Sequence, residues 1–268
     1  MIRSRDNARL KDLRKLRRDR RWRESRSQGL VEGPHLIEAA LDAGLRPLVV
    51  LATAEFLERR DPLLARLPEP PLVVDPRLLD ELADADSPRG IVAAVELGAA
   101  TLEHWLPATA SSERSATPVV AIDRVQDPGN LGALARVAEA AGASLLAIAP
   151  GSVDWRHPRA LRASTGSLLR LPVLEVDLSG LRAALTPRDP LWLGLSPRGG
   201  VSLWDSGALP AGAVVLVVGS EGEGLSEEAV GAIHRTVTIP MAAPVESINV
   251  TAAAAVVLFE LARQRRHR

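Results

Sequence analysis

Short apolar runs alternate with helix-length amphipathic stretches along most of the chain. Residues 6–27 carry a helical pattern, and Gly33-Pro34 opens a second helix that Gly44 stops. Arg46–Leu51 reads as a buried strand. Helix follows at 54–66, strand at 72–74, helix at 76–82 and strand at 91–95. From 118 the alternation restarts. Strands are expected at 119–122, 145–149, 172–176, 191–195, 214–218 and 236–239. Helices are expected at 130–141, 158–164, near 179–185 and from about 226, and a long helix closes the chain. Repeated βα units predict an α/β protein with a mainly parallel sheet covered on both faces. Residues 98–117, rich in Ala, Ser, Thr and Pro, break the pattern and suggest a linker. The expected division is a small N-terminal α/β domain over 1–100, a linker over 101–117 and a larger domain over 118–268.

Composition narrows the chemistry. The 268 residues contain no cysteine, which excludes disulfides, thiolate metal sites and cysteine nucleophiles. No apolar run reaches membrane-spanning length and no secretory h-region opens the chain, so a cytoplasmic protein is expected. Net charge is zero, yet residues 3–26 hold twelve Lys or Arg against four acids. A segment this basic, from Arg3 to Arg26, predicts contact with a polyanion rather than a merely solvated helix. Tyrosine is absent and only Phe56 and Phe259 represent phenylalanine. Arginine contacts to phosphate therefore suit this chain better than an aromatic stacking sheet.

Three segments carry candidate chemistry. In 121–142, a strand runs into a Pro-Gly turn and Asn130 is placed to cap the following helix, with Gly132 close to the sheet. In 214–229, a strand enters a turn holding Gly219, Gly222 and Gly224 together with Glu221 and Glu223. Glycine allows left-handed angles and close approach, while the carboxylates disfavour a phosphate and favour a cationic or zwitterionic ligand. In 237–265, Ser247 is placed to cap a helix that is apolar nearly all round. Such a helix is buried on more than one face, which suggests a subunit interface as well as a sheet. His35, His104, His157, His234 and His267 are scattered, and no metal cluster is expected.

In this order, the three segments resemble the motifs of the SpoU (TrmH-like) RNA 2′-O-methyltransferases of the SPOUT superfamily. The first has Asn130, Gly132 and Arg136. The second has Gly219, Glu221, Gly222, Gly224 and Leu225. The third has Ile239, Pro240 and Met241, then Ser247, Ile248, Asn249 and Val250. Residues 163–173 resemble the family's small-residue segment near the RNA. Residues 117–265 carry the likeness, and the basic first third resembles the ribosomal-protein-like RNA-binding domain often joined to it.

The resemblance implies a SPOUT fold with a C-terminal trefoil knot, S-adenosylmethionine as methyl donor, and a homodimer through the C-terminal helix. Gly219, Glu221, Gly222, Gly224, Leu225, Ile239, Pro240, Met241, Ile248 and Asn249 are the implied cofactor residues. Arg136, Asn130, Glu221, Ser247 and Asn249 are the implied catalytic group. A guanidinium keeps its proton, which argues for hydrogen bonding by Arg136 rather than base catalysis. The implied substrate is RNA, foremost large-subunit ribosomal RNA. The rival readings are a tRNA methyltransferase, an antibiotic-resistance ribosomal methyltransferase and a non-catalytic RNA-binding protein. A Rossmann-type nucleotide enzyme is disfavoured by the late, acidic glycine turn.

Overall fold

The computed structural model describes residues 1–83, 89–108, 117–205, 209 and 212–266. His267 lies outside the described residues. The chain forms two compact units, one of Met1–Gly98 with Asp154–Arg170, the other of Ala99–Val153 with Leu171–Arg268.

The first unit is built on β1 (Gln28–Glu32), β2 (Pro47–Ala52), β3 (Leu72–Val73) and β4 (Ile91–Glu96), in the order β1-β4-β2-β3. β4 runs antiparallel to both β1 and β2, and β3 runs parallel to β2. β1 is absent from the sequence expectation. Its sequence, QGLVE, has no clear period, and cross-strand pairing from Gln28↔Glu96 to Glu32↔Val92 makes it a strand. The expected basic helix over 6–27 is two helices, Ala8–Arg18 and Arg20–Arg26. Asp19 leaves the helical region (φ −111°, ψ 111°), and its side chain accepts from Trp22 N to cap the second helix. The helix expected over 54–66 also divides, into Ala54–Glu58 and Leu63–Arg66, around left-handed Arg60 and Pro62. Leu10, Leu13 and Leu16 form the buried stripe of the first helix, against Leu30, Leu51 and Leu79.

This unit also holds a buried ion pair. Arg23 Nε donates to Asp154 Oδ2 at 2.6 Å, and Arg23 Nη1 donates to the Leu16 carbonyl at 2.8 Å. Arg23 is 2% exposed and Asp154 3% exposed. Residues 154–170 fall inside the stretch expected to be catalytic, yet they pack as part of the N-terminal unit. The hold is long-range: beside the Arg23–Asp154 pair, 131 residues apart, Arg156 Nε donates to the Leu97 carbonyl at 2.9 Å, and Leu161 is buried beside Gly29 of β1.

The second unit contains β5 (Val119–Ile122), β6 (Leu145–Ile148), β7 (Val173–Glu175), β8 (Leu191–Leu195), β9 (Val201–Ser202), β10 (Val214–Val218) and β11 (Arg235–Thr238). Their order is β7-β6-β5-β10-β8-β11-β9, and every neighbouring pair is parallel. The mainly parallel sheet read from the sequence is therefore present. β9 is an addition, too short to show a period and defined by pairing with β11 alone. Ala147, Leu181, Trp192, Val215 and Val217 belong to one buried cluster. The expected linker contains a helix, Leu102–Ala108, whose Trp105 is buried and donates its indole N–H to the Ser144 carbonyl at 3.0 Å. The rest of the linker, 109–116, lies outside the described residues.

This strand order decides where the site forms. Parallel strands share one carboxyl edge, and β5, β10, β8 and β11 are consecutive in the sheet. The loops that leave them therefore converge, although they lie as much as a hundred residues apart in sequence.

Candidate active site

The first loop leaves β5 and enters the helix Pro128–Ala140. Asp127, not Asn130, is the N-cap. Its Oδ1 accepts from Asn130 N at 2.8 Å, and Pro128 occupies the first turn. Asp followed by Pro is a readable helix-start signal that places the cap three residues earlier than expected. The side chain of Asn130 is thereby left for long-range bonds. Its Nδ2 donates to Glu221 Oε1, and its Oδ1 accepts from Asn249 Nδ2 at 3.1 Å.

The second loop leaves β10 and turns back on itself. Ser220 N donates to the Gly224 carbonyl at 3.0 Å, and Gly224 N donates to the Ser220 carbonyl at 3.1 Å. The glycines of this turn have different reasons. Gly224 has φ +73°, a left-handed backbone. At Gly219 a Cβ would lie 2.4 Å from the Gly224 carbonyl oxygen and 2.7 Å from Leu225 N. At Gly222 a Cβ would meet nothing of the chain within 4 Å. The turn closes where Ser226 N donates to Asp123 Oδ2 at 2.6 Å. Asp123 is buried at the end of the β5 region, and sequence reading missed it.

The third loop runs from β11 to the C-terminal helix Val250–Arg266. Asn249 caps this helix in place of the expected Ser247, its Oδ1 accepting from Thr251 N at 2.8 Å and Ala252 N at 3.4 Å. The two residues compete locally, and Asn249 alone also reaches Asn130. One asparagine thus starts a helix and joins two loops. Thr251, also missed, adds a long 3.5 Å contact from its hydroxyl to the Asn130 carbonyl.

These loops enclose a cavity of about 390 Å³. Of the expected residues, Gly219, Glu221, Gly224, Ile239, Met241, Ser247, Ile248 and Asn249 line it. Gly222, Leu225, Pro240 and Asn130 do not. Leu225 packs on the core beneath the turn, and Asn130 acts through Glu221 and Asn249. Val250 of the third motif also lines it, and unanticipated walls come from Leu195 at the end of β8, Pro197 beyond it, and Ala253. Arg136 is exposed on the outer side of its helix, off the cavity wall, with no hydrogen bond or ion pair to the described residues.

The lining tests what the cavity suits. Its volume lies within the usual range for small-ligand sites, about 300–1,000 Å³. Leu195, Ile239, Met241, Ile248 and Val250 offer an apolar wall, and Ile248 stays 41% exposed. Glu221 is the charged group among the described lining residues, which include no Lys or Arg. An apolar slot with a carboxylate at one side suits a flat heterocycle joined to a cationic group, as in S-adenosylmethionine, and opposes a polyphosphate. Among the described residues no group of His, Asp and Glu could hold a metal ion.

Comparison with known proteins supports the same reading. The model of the SpoU rRNA Methylase family matches residues 117–259, and that of an MRM3-like substrate binding domain matches residues 7–93. A 23S rRNA (uridine(2479)-2'-O)-methyltransferase of Streptomyces viridochromogenes is 32% identical, over 97% of this chain and 91% of its own length. The 23S rRNA (guanosine-2'-O-)-methyltransferase RlmB of Yersinia pestis is 30% identical, over 88% of this chain and 97% of its own. Among solved structures, the SpoU methyltransferase AviRb from S. viridochromogenes in complex with AdoMet superposes with a TM-score of 0.85. That match is 29% identical and covers 97% of this chain and 98% of AviRb.

Proposed function

The chain belongs to the SpoU rRNA methylase family and is an S-adenosylmethionine-dependent RNA 2′-O-methyltransferase, and we propose that it acts on a ribose of 23S ribosomal RNA. The observation that carries the site assignment is the chain of bonds Glu221–Asn130–Asn249, which ties three distant segments into one rim of one cavity.

S-adenosylmethionine, when bound, supplies a methyl group on a cationic sulfur. The backbone of Gly219–Gly224 and the side chains of Ile239, Met241 and Ile248 would hold it, with Gly222, Leu225 and Pro240 shaping the loops around them. Glu221 favours its positive charge. Asn130 fixes Glu221 and Asn249, so the polar end of the cavity is ordered before substrate arrives. Ser247 and Asn249 present polar atoms to the reacting end. Arg136 polarises the ribose hydroxyl and holds the neighbouring phosphate, and the proton leaves to phosphate or water.

Arg136 reaches a cavity only if another copy of the chain brings it there. We therefore assign a homodimer joined along the C-terminal helix, where Phe259 is 50% exposed, and along the Asn130 helix that packs against it. The SPOUT trefoil knot belongs to the same proposal, formed by the loops after β10 and β11. Location in the cytoplasm follows from the substrate; among the described residues no helix is long and apolar enough to cross a membrane.

RNA contact is assigned to the basic segment Arg3–Arg26, though fewer of its cations are free than the sequence suggests. Arg5 and Arg14 bind Glu81, Lys11 binds Asp6, Arg20 binds Glu24, and Arg23 is buried. Arg9, Arg18 and Arg21 are exposed without an acidic partner among the described residues. The test is methyl transfer to 23S RNA transcribed in vitro, with 2′-O-methyl mapping of the product. Methylation at one ribose is expected; transfer to transfer RNA alone overturns the substrate.

A further inference from the structure

Arg124 follows Asp123 past the end of β5, and its backbone is left-handed, with φ 56°. A side chain is disfavoured there, whereas glycine adopts the angle freely. The conformation is held through backbone atoms. Arg124 N donates to Ser152 Oγ at 3.0 Å, and its carbonyl accepts from Gln126 Nε2 at 3.1 Å. A glycine would make both bonds, so nothing in the backbone explains a side chain at this position.

The side chain points to another reason. Arg124 Nη1 lies 3.1 Å from Glu223 Oε2, and its Nε lies 3.8 Å from Asp123 Oδ1. Glu223 sits in the glycine turn, where its own amide donates to Ser220 Oγ at 3.1 Å. Ser220 and Glu221 line the cavity. Asp123 meanwhile holds the far limb of the turn through Ser226 N. The cation therefore bridges the two acids that grip the turn, one at its tip and one at its exit.

The geometry points to Arg124 as a positioning residue: it tethers the Ser220–Gly224 turn through Glu223, so that Glu221 is presented to Asn130 and to the cavity. A left-handed arginine gives up some stability of the loop for order beside the ligand. This inference rests on the cavity being the S-adenosylmethionine site.

Three full-length variants test it: Arg124→Gly, Glu223→Gln and Arg124→Lys. Arg124→Gly is expected to raise Tm by about 2–4 °C, because the strain is relieved. In the same variant, amide exchange across Ser220–Gly224 speeds up in the cofactor-free protein, and the Kd for S-adenosylmethionine rises by up to about five-fold. Glu223→Gln reproduces the exchange and the Kd without the gain in Tm, and Arg124→Lys, which keeps the cation, stays closer to wild type in both than Arg124→Gly. Exchange and Kd equal to wild type in Arg124→Gly would overturn the inference, as would an Arg124→Lys no better than Arg124→Gly. If the wild-type chain itself binds no S-adenosylmethionine, the reading of the cavity fails, and amide exchange in the cofactor-free protein decides the tether alone.

Discussion

The substitution Gly219→Ala adds one methyl group where the structure has no room for it. Its Cβ would stand 2.4 Å from the Gly224 carbonyl oxygen, 2.5 Å from that carbonyl carbon and 2.7 Å from Leu225 N. Ordinary contact for a Cβ begins near 3.4 Å, so the return limb of the turn must retreat by roughly 1 Å. The obstacle is backbone, which cannot rotate away as a side chain would. That carbonyl accepts from Ser220 N, and the reciprocal bond from Gly224 N shares the same geometry. Two hydrogen bonds at about 1 kcal/mol each, with an overpacking penalty of about 1–2 kcal/mol, place the cost of the wild-type loop shape at about 3–4 kcal/mol. A relaxed variant must recover that shape to bind, so its affinity for S-adenosylmethionine falls by roughly 150-fold to 900-fold. The same exchange at Gly231 is the control. It lies in the helix Glu227–Ala232, and a Cβ there meets nothing within 4 Å. Gly231→Ala therefore stabilises by about 0.5–1 kcal/mol through helix propensity and leaves binding unchanged. Calorimetric titration with urea unfolding of both variants decides the matter. Gly219→Ala binding within three-fold of wild type refutes the steric argument.

Other expectations follow from the same contacts. Asn130→Asp sets a carboxylate against Glu221, and single-turnover methylation is expected to fall at least about 100-fold, with Asn130→Ala less severe; equal rates would remove Asn130 from the site. Arg23→Ala takes from buried Asp154 its closest cation and leaves it only Arg156, whose amide donates at 2.9 Å and whose Nη1 lies 4.0 Å away, so the N-terminal unit is expected to lose about 3 kcal/mol in urea unfolding. Replacing Arg9, Arg18 and Arg21 by Ala should lower the slope of log affinity for RNA against log salt by about 2–3, and an unchanged slope would return this segment to plain solvation. Arg263 first, then Gln264, hold the Glu260 carboxyl down to about 2 from its ordinary 4.5. Its folded pKa is depressed, so its contribution to stability is present above pH 4.5 and vanishes as pH falls through about 2. Glu260→Gln is expected to be less stable than wild type near neutrality, with the two converging in acid unfolding below pH 2.

Hydrophobic periodicity alone determined the βα alternation of the second unit, and residue types alone marked the three segments that form its site. Burial imposes both: a strand covered on two faces must be continuously apolar, and a turn packed as tightly as Gly219 must lack a side chain. Asp127 before Pro128 is a local helix start legible in the sequence, whereas Ser247 and Asn249 offer the same local cap and no local signal separates them. That second contest goes to the residue that also bonds across 119 residues, Asn249 to Asn130, while Asn130 is itself held to Glu221 across 91. β1 and β9 were invisible for the same reason, since pairing rather than pattern makes them strands. The tertiary structure also decided that residues 154–170 pack with the N-terminal unit, through the buried Arg23–Asp154 pair, the Arg156–Leu97 bond and Leu161 against β1, partners whose distance in sequence no periodicity encodes. Sheet order is the deepest of these decisions. Only by placing β5 beside β10, and β8 between β10 and β11, does the fold gather the site loops on one edge, because strand neighbours are chosen by long-range packing of the whole unit.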